Sequence, residues 1–173
     1  MNCIANVDIN WAIGKNNSLL FHIPQDMKLF KKMTTDNVVI MGKNTLLSLP
    51  EQKPLPNRVN LVLSTSIERN DCIVCRNINM LKQKLIKYDS KNVFVMGGEL
   101  IYKQLLPYCE KAYITKVFSD GCGTEFFPNL DKSNNWILTY KGQRHIYNNI
   151  EYCFCQYENN AVIQGDINEI FSQ

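Results

Sequence analysis

Two apolar runs of strand length end on glycine and pass directly into a stretch that reads as a helix. Val38-Val39-Ile40-Met41-Gly42 leads into Lys43-Asn44-Thr45, and Val93-Phe94-Val95-Met96-Gly97-Gly98 leads into Glu99-Leu100-Ile101-Tyr102. A buried strand followed by a helix cannot return by a tight hairpin. It needs a crossover, so the unit that repeats is strand–helix–strand and the class is α/β. Extending the same reading along the chain predicts strands at Cys3–Asp8, Asn37–Met41, Val59–Ser64, Cys72–Cys75, Asn92–Met96, Lys111–Phe118, Trp136–Tyr140 and Ile150–Tyr157. Helices are expected at Pro24–Thr34, Asn44–Ser48, Asn79–Tyr88 and Glu99–Leu106. Helices or long connections separate the first five strands, as a largely parallel sheet requires. Near the end, Gln143–Tyr147 and Ile150–Tyr157 flank the turn-prone pair Asn148-Asn149, which predicts an antiparallel hairpin closing the sheet. The expected fold is a single α/β domain with a mixed, mostly parallel eight-stranded sheet flanked by helices.

A chain of 173 residues has the usual size of one domain, and 45% hydrophobic with 20% charged residues is an ordinary globular composition. We assign residues 1–158 to that domain and 159–173 to a C-terminal tail, with Asp166–Phe171 as a short helix, a frayed end or the start of a linker. The net charge of +3 is mild and the lysines are scattered, so no basic stripe suits a nucleic-acid groove. No apolar run reaches the roughly 18 residues that span a bilayer, and the first ten residues lack the pattern of a secretion signal. Seven cysteines without secretory context read as reduced thiols of a cytoplasmic protein. Cys72-Ile-Val-Cys75 has half a zinc spacing but no second pair, and Cys153-Phe-Cys155 alternates in a strand, so no metal is expected.

Four segments bear chemistry. In the first, Pro24 suits the opening position of a helix, and Asp26, Met27, Phe30 and Met33 then fall roughly on one face. That face is apolar except for one carboxylate. One reading has Asp26 complement the helix dipole. The other holds a carboxylate of raised pKa among apolar side chains, facing a cationic or amidine-like ligand. The second and third are the strand–Gly–helix junctions at Gly42-Lys43 and Gly97-Gly98, where close backbone approach, helix N-terminal N–H groups and the Lys43 charge suit phosphates. Neither has the spacing of a dinucleotide fingerprint or a P-loop. The fourth is Ser64-Thr65-Ser66 with Arg76, whose hydroxyls and guanidinium suit a ribose phosphate. Together the junctions suggest a long polyphosphorylated cofactor along the edge of the sheet.

In order, these segments resemble the dihydrofolate reductases over roughly residues 2–157. Matching pieces are Ile4-Ala5, Ala12-Ile13-Gly14, Pro24-Gln25-Asp26-Met27 with Phe30-Lys31, Met41 to Thr45, Pro54 to Arg58, Leu63-Ser64, Gly97 to Tyr102, Tyr113-Ile114-Thr115, Phe126-Phe127-Pro128 and Tyr152. The resemblance implies reduction of 7,8-dihydrofolate to 5,6,7,8-tetrahydrofolate, with hydride passing from NADPH to pterin C6 and a proton to N5. It implies catalytic roles for Asp26, Thr115 and the residue at position 21, here Phe21. Ile4, Ala5, Met27, Phe30, Leu55 and Arg58 are implied to bind substrate, with weaker help from Lys31. Arg58 has the bidentate geometry for the substrate's glutamate carboxylate. Toward NADPH it implies Ile13, Gly14, Ser18 and Leu19 at the nicotinamide, and Gly42, Lys43, Asn44, Thr45, Gly97, Gly98, Glu99, Leu100, Ile101 and Tyr102 at the phosphates and the nicotinamide end. Ser64, Thr65 and Arg76 are implied at the 2′-phosphate. Partners are then dihydrofolate and antifolate inhibitors, with the chain a monomer or associated with thymidylate synthase.

The chain departs from that family at three points. Phe21 stands where tryptophan is usual, Lys43 where arginine is common, and Cys122-Gly123-Thr124-Glu125 lacks the acidic residue often found before Phe-Phe-Pro. Two rivals share part of the pattern. A pyrimidine reductase of riboflavin synthesis is expected to lack both the Asp26 helix and the Arg58 site. A non-catalytic binding domain would keep the fold without the reaction.

Overall fold

The computed structural model describes residues 1–163. The elements run β1 Asn2–Val7, β2 Ala12–Lys15, β3 Ser18–Leu19, α1 Pro24–Thr34, β4 Val38–Gly42, α2 Lys43–Ser48, β5 Val59–Leu63 and β6 Ile73–Cys75. They continue with α3 Ile78–Leu85, β7 Val93–Gly97, α4 Glu99–Leu105, β8 Lys111–Val117, β9 Glu125–Phe126, β10 Trp136–Lys141, β11 His145–Tyr147 and β12 Ile150–Asn159.

The main sheet has the order β10-β12-β8-β1-β7-β4-β5-β6. All pairs from β8 to β6 along it are parallel, and β12 pairs antiparallel with β8, β10 and β11. The mixed, mostly parallel sheet is as expected, with one addition. β11 is a ninth strand, sharing with β10 the outer side of β12, so the terminal hairpin lies inside the edge formed by β10. The predicted tail helix falls outside the described residues.

Both faces of the parallel part are covered, which is why its strands read as unbroken apolar runs. Val38 and Ile40 pack on one side with Leu61, Leu81, Leu85, Ile101 and Leu105, and so under α3 and α4. Val39 and Met41 alternate to the other side with Leu46 of α2, Val62 and Ile67. Asn77 caps α3, its side chain accepting the Met80 N–H, so that helix starts one residue earlier than its apolar pattern suggested and ends at Leu85 rather than Tyr88.

A small second sheet, β3-β2-β9, was not anticipated. Its β2–β3 turn is made by Asn16 and Asn17 at φ 52° and 59°, the left-handed pair that a two-residue hairpin needs. Asn148 and Asn149, at φ 48° and 62°, make the same turn between β11 and β12.

Candidate active site

The parallel strands β4, β5 and β7 all end at one edge of the sheet, where ligands of open α/β sheets bind. Beside that edge, pairing between β1 and β7 is limited to Asn2–Phe94 and Cys3–Val95. Past Cys3, β1 holds only to β8, and the side chain of Tyr102 enters from α4 to donate to the Ile4 carbonyl at 2.7 Å.

On the other side of β1 stands α1. Ile23 supplies its N-cap without a side-chain bond, and Pro24 opens the helix. The first turn then turns Asp26 toward the sheet. Its Oδ1 accepts from Thr115 Oγ1 at 2.5 Å and its Oδ2 accepts from Asn6 Nδ2 at 3.1 Å. Burial pushes the Asp26 carboxyl above the ordinary carboxylate range, and the bonds from Thr115 and Asn6 pull partly the other way. A helix-dipole role alone would leave the side chain in solvent, whereas Asp26 is partly buried and bonded to the sheet, with its pKa raised. The apolar face also differs from expectation. Phe30 and Met33 are half-buried, whereas Met27, one residue on from Asp26 and so about 100° around the helix, is 45% exposed. Phe21 packs with Ile23, Val117 and Tyr152 just ahead of the helix.

Further along α1, Arg58 lies over the Phe30 ring at 5.9 Å. It donates through Nε to Thr34 Oγ1 at 2.8 Å and through Nη1 to the Pro56 carbonyl at 2.6 Å, which fixes the guanidinium at the rim. Leu55 is held nearby by Asn60, whose side chain accepts its N–H and donates to its carbonyl. Lys31 is exposed.

At the strand ends, Gly97 has φ +125°, a conformation that side chains rarely adopt, and the Gly97–Gly98 peptide is cis. A Cβ on either glycine would lie 3.4 Å from Thr45 Oγ1, so bare backbone faces the start of α2. Lys43 reaches Ser66 Oγ at 3.2 Å, which joins the Gly42 junction to the loop after β5. Ser64 Oγ accepts the Ser66 N–H, while Thr65 is exposed and Arg76 pairs with Glu68 at 3.4 Å. With six and seven residues, α2 and α4 have weak dipoles, so the capacity for anions rests on Lys43, the hydroxyls and the bare glycines.

The Glu99 carboxylate accepts from Lys103 at 2.5 Å and from the Phe126 N–H at 3.0 Å, and so fastens α4 to β9. Beside it, Ile101 and Tyr102 are buried and Leu100 is 71% exposed. Ile13 and Gly14 lie on β2 and Ser18 and Leu19 on β3, with Thr124 N–H bonded to the Gly14 carbonyl at 2.9 Å. Ile4, Ala5 and Thr115 are buried on β1 and β8. Asn6 and Asp8 take part in this architecture but were not picked out from sequence, whereas Ser66 was, with Ser64 and Thr65.

Seven cysteines are free, and Cys153 and Cys155 face each other at 3.6 Å inside the sheet. Among the described residues, no group of three or more His, Cys, Asp or Glu side chains is placed to hold a metal ion.

Fold and cleft define an α/β enzyme with one partly buried carboxylate in a slot and an anion-suited sheet edge beside it. The family model described as dihydrofolate reductase matches residues 1–159. Dihydrofolate reductase of Bacillus subtilis is 37% identical over 155 residues, covering 88% of this chain and 90% of that protein. That of Buchnera aphidicola subsp. Schizaphis graminum is 36% identical over 153 residues, covering 88% and 93%. Among solved structures, the dihydrofolate reductase of Enterococcus faecalis, complexed with NADP(H) and RAB-propyl, superposes with a TM-score of 0.80 at 27% identity, covering 92% of this chain and 95% of that one. The chain belongs to the dihydrofolate reductase family.

Proposed function

We propose that this chain reduces 7,8-dihydrofolate to 5,6,7,8-tetrahydrofolate with NADPH. The carrying observation is the partly buried Asp26 carboxylate, gripped by Thr115 and Asn6 at the mouth of a slot in the sheet.

A pterin offers an amidine-like edge, its 2-amino group and N3, and a carboxylate accepts from both in parallel. With Asp26 and Thr115 holding that edge, Ile4 and Ala5 line one wall of the slot. Phe30 and Leu55, with Met27 at the rim, flank the rings, and Arg58 receives the glutamate carboxylate. Phe21 is apolar where an indole N–H would donate, so the site makes one polar contact fewer there. N5 needs a proton during reduction. Asp26 favours its arrival from a water molecule by holding negative charge beside the ring.

NADPH, when bound, supplies the hydride for C6. The residues present fit it: the bare Gly97–Gly98 backbone against Thr45 admits a pyrophosphate, with Gly42 and Asn44 adjoining. Lys43, Ser64, Thr65, Ser66 and Arg76 suit the 2′-phosphate. The pairing of Arg76 with Glu68, a side chain 91% exposed, is readily exchanged for a phosphate. Ile13, Gly14, Ser18 and Leu19 line the nicotinamide, and Ile101 and Tyr102 back it.

The unit responsible is residues 1–158. Among the described residues no helix is long and apolar enough to cross a membrane. The proposed cytoplasmic location is supported by membership of the dihydrofolate reductase family. The working unit in this proposal is a monomer. Association with thymidylate synthase is the alternative. A bifunctional dihydrofolate reductase-thymidylate synthase of Daucus carota is 34% identical over 186 residues, which cover 34% of that protein.

The test is to mix the chain with NADPH and dihydrofolate and follow the absorbance of the reduced nicotinamide. A steady fall that methotrexate stops is the expected result. Protein that binds methotrexate yet gives no fall would point instead to a binding domain without catalysis.

A further inference from the structure

We infer that Asp8 is a positioning residue for the nicotinamide end of the cofactor site. The inference rests on the proposed function for the identity of the cofactor, but its geometry stands alone.

Asp8 follows β1 and is 3% exposed, with a carboxylate that accepts three backbone N–H groups. Oδ1 takes those of Asn10 at 2.7 Å and Ala12 at 2.9 Å, and Oδ2 takes that of Gly121 at 3.1 Å. The first two shape the turn that delivers β2. Its backbone also closes that turn, with Asp8 N–H bonded to the Ala12 carbonyl at 2.9 Å and Trp11 N–H to the Asp8 carbonyl at 3.0 Å. Within it Trp11 sits at φ 64°, an unfavourable value for a bulky side chain, so the surrounding bonds hold the turn against its own preference.

The third bond crosses 113 residues to the segment before β9. Gly121 must come close here, since a Cβ on it would fall 2.8 Å from Leu20 Cδ1. The same segment meets β2 again where the Thr124 N–H reaches the Gly14 carbonyl and the Phe127 N–H the Trp11 carbonyl. Asp8 therefore ties both sides of a clamp whose product is the placement of Ile13 and Gly14. An acidic residue is needed, because only a carboxylate presents acceptors on both oxygens to three N–H groups.

Asp8→Asn separates the two halves of this role. Its remaining oxygen can still accept from Asn10 and Ala12, while the amide NH2 meets Gly121 donor to donor. We expect NADPH, titrated by fluorescence in the absence of folate, to bind roughly tenfold more weakly. Methotrexate binding without cofactor should change less than twofold, and amide exchange should quicken at Gly121 while Ala12 stays protected. A merely structural role would weaken both ligands in parallel, and that result, or an unchanged NADPH affinity, overturns the inference. Failure of the unsubstituted protein to bind NADPH would instead sink the proposed cofactor. Should Asp8→Asn not fold, exchange in the unsubstituted protein decides. NADPH must slow the Ala12, Gly121 and Thr124 amides more than methotrexate does, and the reverse order overturns the inference.

Discussion

Asn6 and Thr115 are partners in the parallel register of β1 and β8, and both side chains donate to the same carboxylate, that of Asp26. Register partners share a face of the sheet. Two strands thus present a matched pair of donors to the first turn of α1. The arrangement holds the carboxylate without neutralising it, since neither donor is charged, and burial still raises its pKa.

In the proposed mechanism the reaction uses that charge. Asp26→Asn keeps the shape and one acceptor but cannot hold negative charge beside N5. Hydride transfer at neutral pH should fall by roughly a hundred- to ten-thousand-fold, the span of proton-transfer contributions. The rate should recover partly in acid, where substrate arrives already protonated. Single-turnover rates across pH check this, and a loss independent of pH would assign Asp26 to binding alone.

The same substitution should stabilise the protein at neutral pH. Because the folded-state pKa of Asp26 lies above the unfolded value, folding favours the protonated form. Its contribution is present in full below the unfolded pKa and is lost as pH rises through the folded pKa. Asparagine does not titrate. The Tm advantage of Asp26→Asn should therefore be absent in acid and grow toward neutrality, and melting curves without ligand at several pH values test it.

How much of this was legible depends on whether the signal is local. Helix α1 was readable to its ends because Pro24 marks its first turn and Asp26 and Phe30 share a face. Asn148-Asn149 was readable because β12, ten residues long, makes the alternation beside it plain. Asn16-Asn17 makes the same turn, yet its strands of four and two residues are too short for any period to show. The partners of Asp26 were legible unevenly. Thr115 came only through family resemblance and Asn6 not at all, since they lie 89 and 20 residues away and register alone brings them in. The bond from the Phe126 N–H to the Glu99 carboxylate was not legible, because it depends on where β9 lands.

Lys43 should set the preference for NADPH over NADH. It is the cation that joins the start of α2 to Ser66, and a point charge there acts on a 2′-phosphate but not on a hydroxyl. Lys43→Gln should raise the Kd for NADPH roughly tenfold and leave that for NADH within about twofold. The NADPH difference should shrink as salt increases, because the lost interaction is ionic and partly exposed. Equal weakening of both cofactors would place Lys43 outside the 2′-phosphate site.

Arg58 should act on substrate binding rather than on the chemical step. Its guanidinium is held at the rim by Thr34 and Pro56, far along α1 from Asp26. Lysine retains the charge but not the fork, so Arg58→Lys should raise KM for dihydrofolate roughly tenfold with kcat little changed. A substrate analogue lacking the glutamate should bind the two proteins alike, and a persistent difference would remove Arg58 from that contact.

Tyr102 links α4 to β1 by a single bond, from its hydroxyl to the Ile4 carbonyl at 2.7 Å. The group is buried, and burial raises its pKa well above the usual phenol value, so it stays a donor throughout the ordinary pH range. Tyr102→Phe deletes the donor and leaves a buried carbonyl short of a partner, which costs about 1–3 kcal/mol. In a chain of this size that lowers Tm by roughly 2–4 °C for each kcal/mol. Unlike the Asp26 effect, the difference should be flat from acid to neutral pH, since neither phenylalanine nor a raised tyrosine titrates there. Chemical denaturation at two pH values separates the cases. A Tyr102→Phe protein as stable as its parent would show that water takes over the carbonyl, and hence that the slot between β1 and β7 is open to solvent at Ile4.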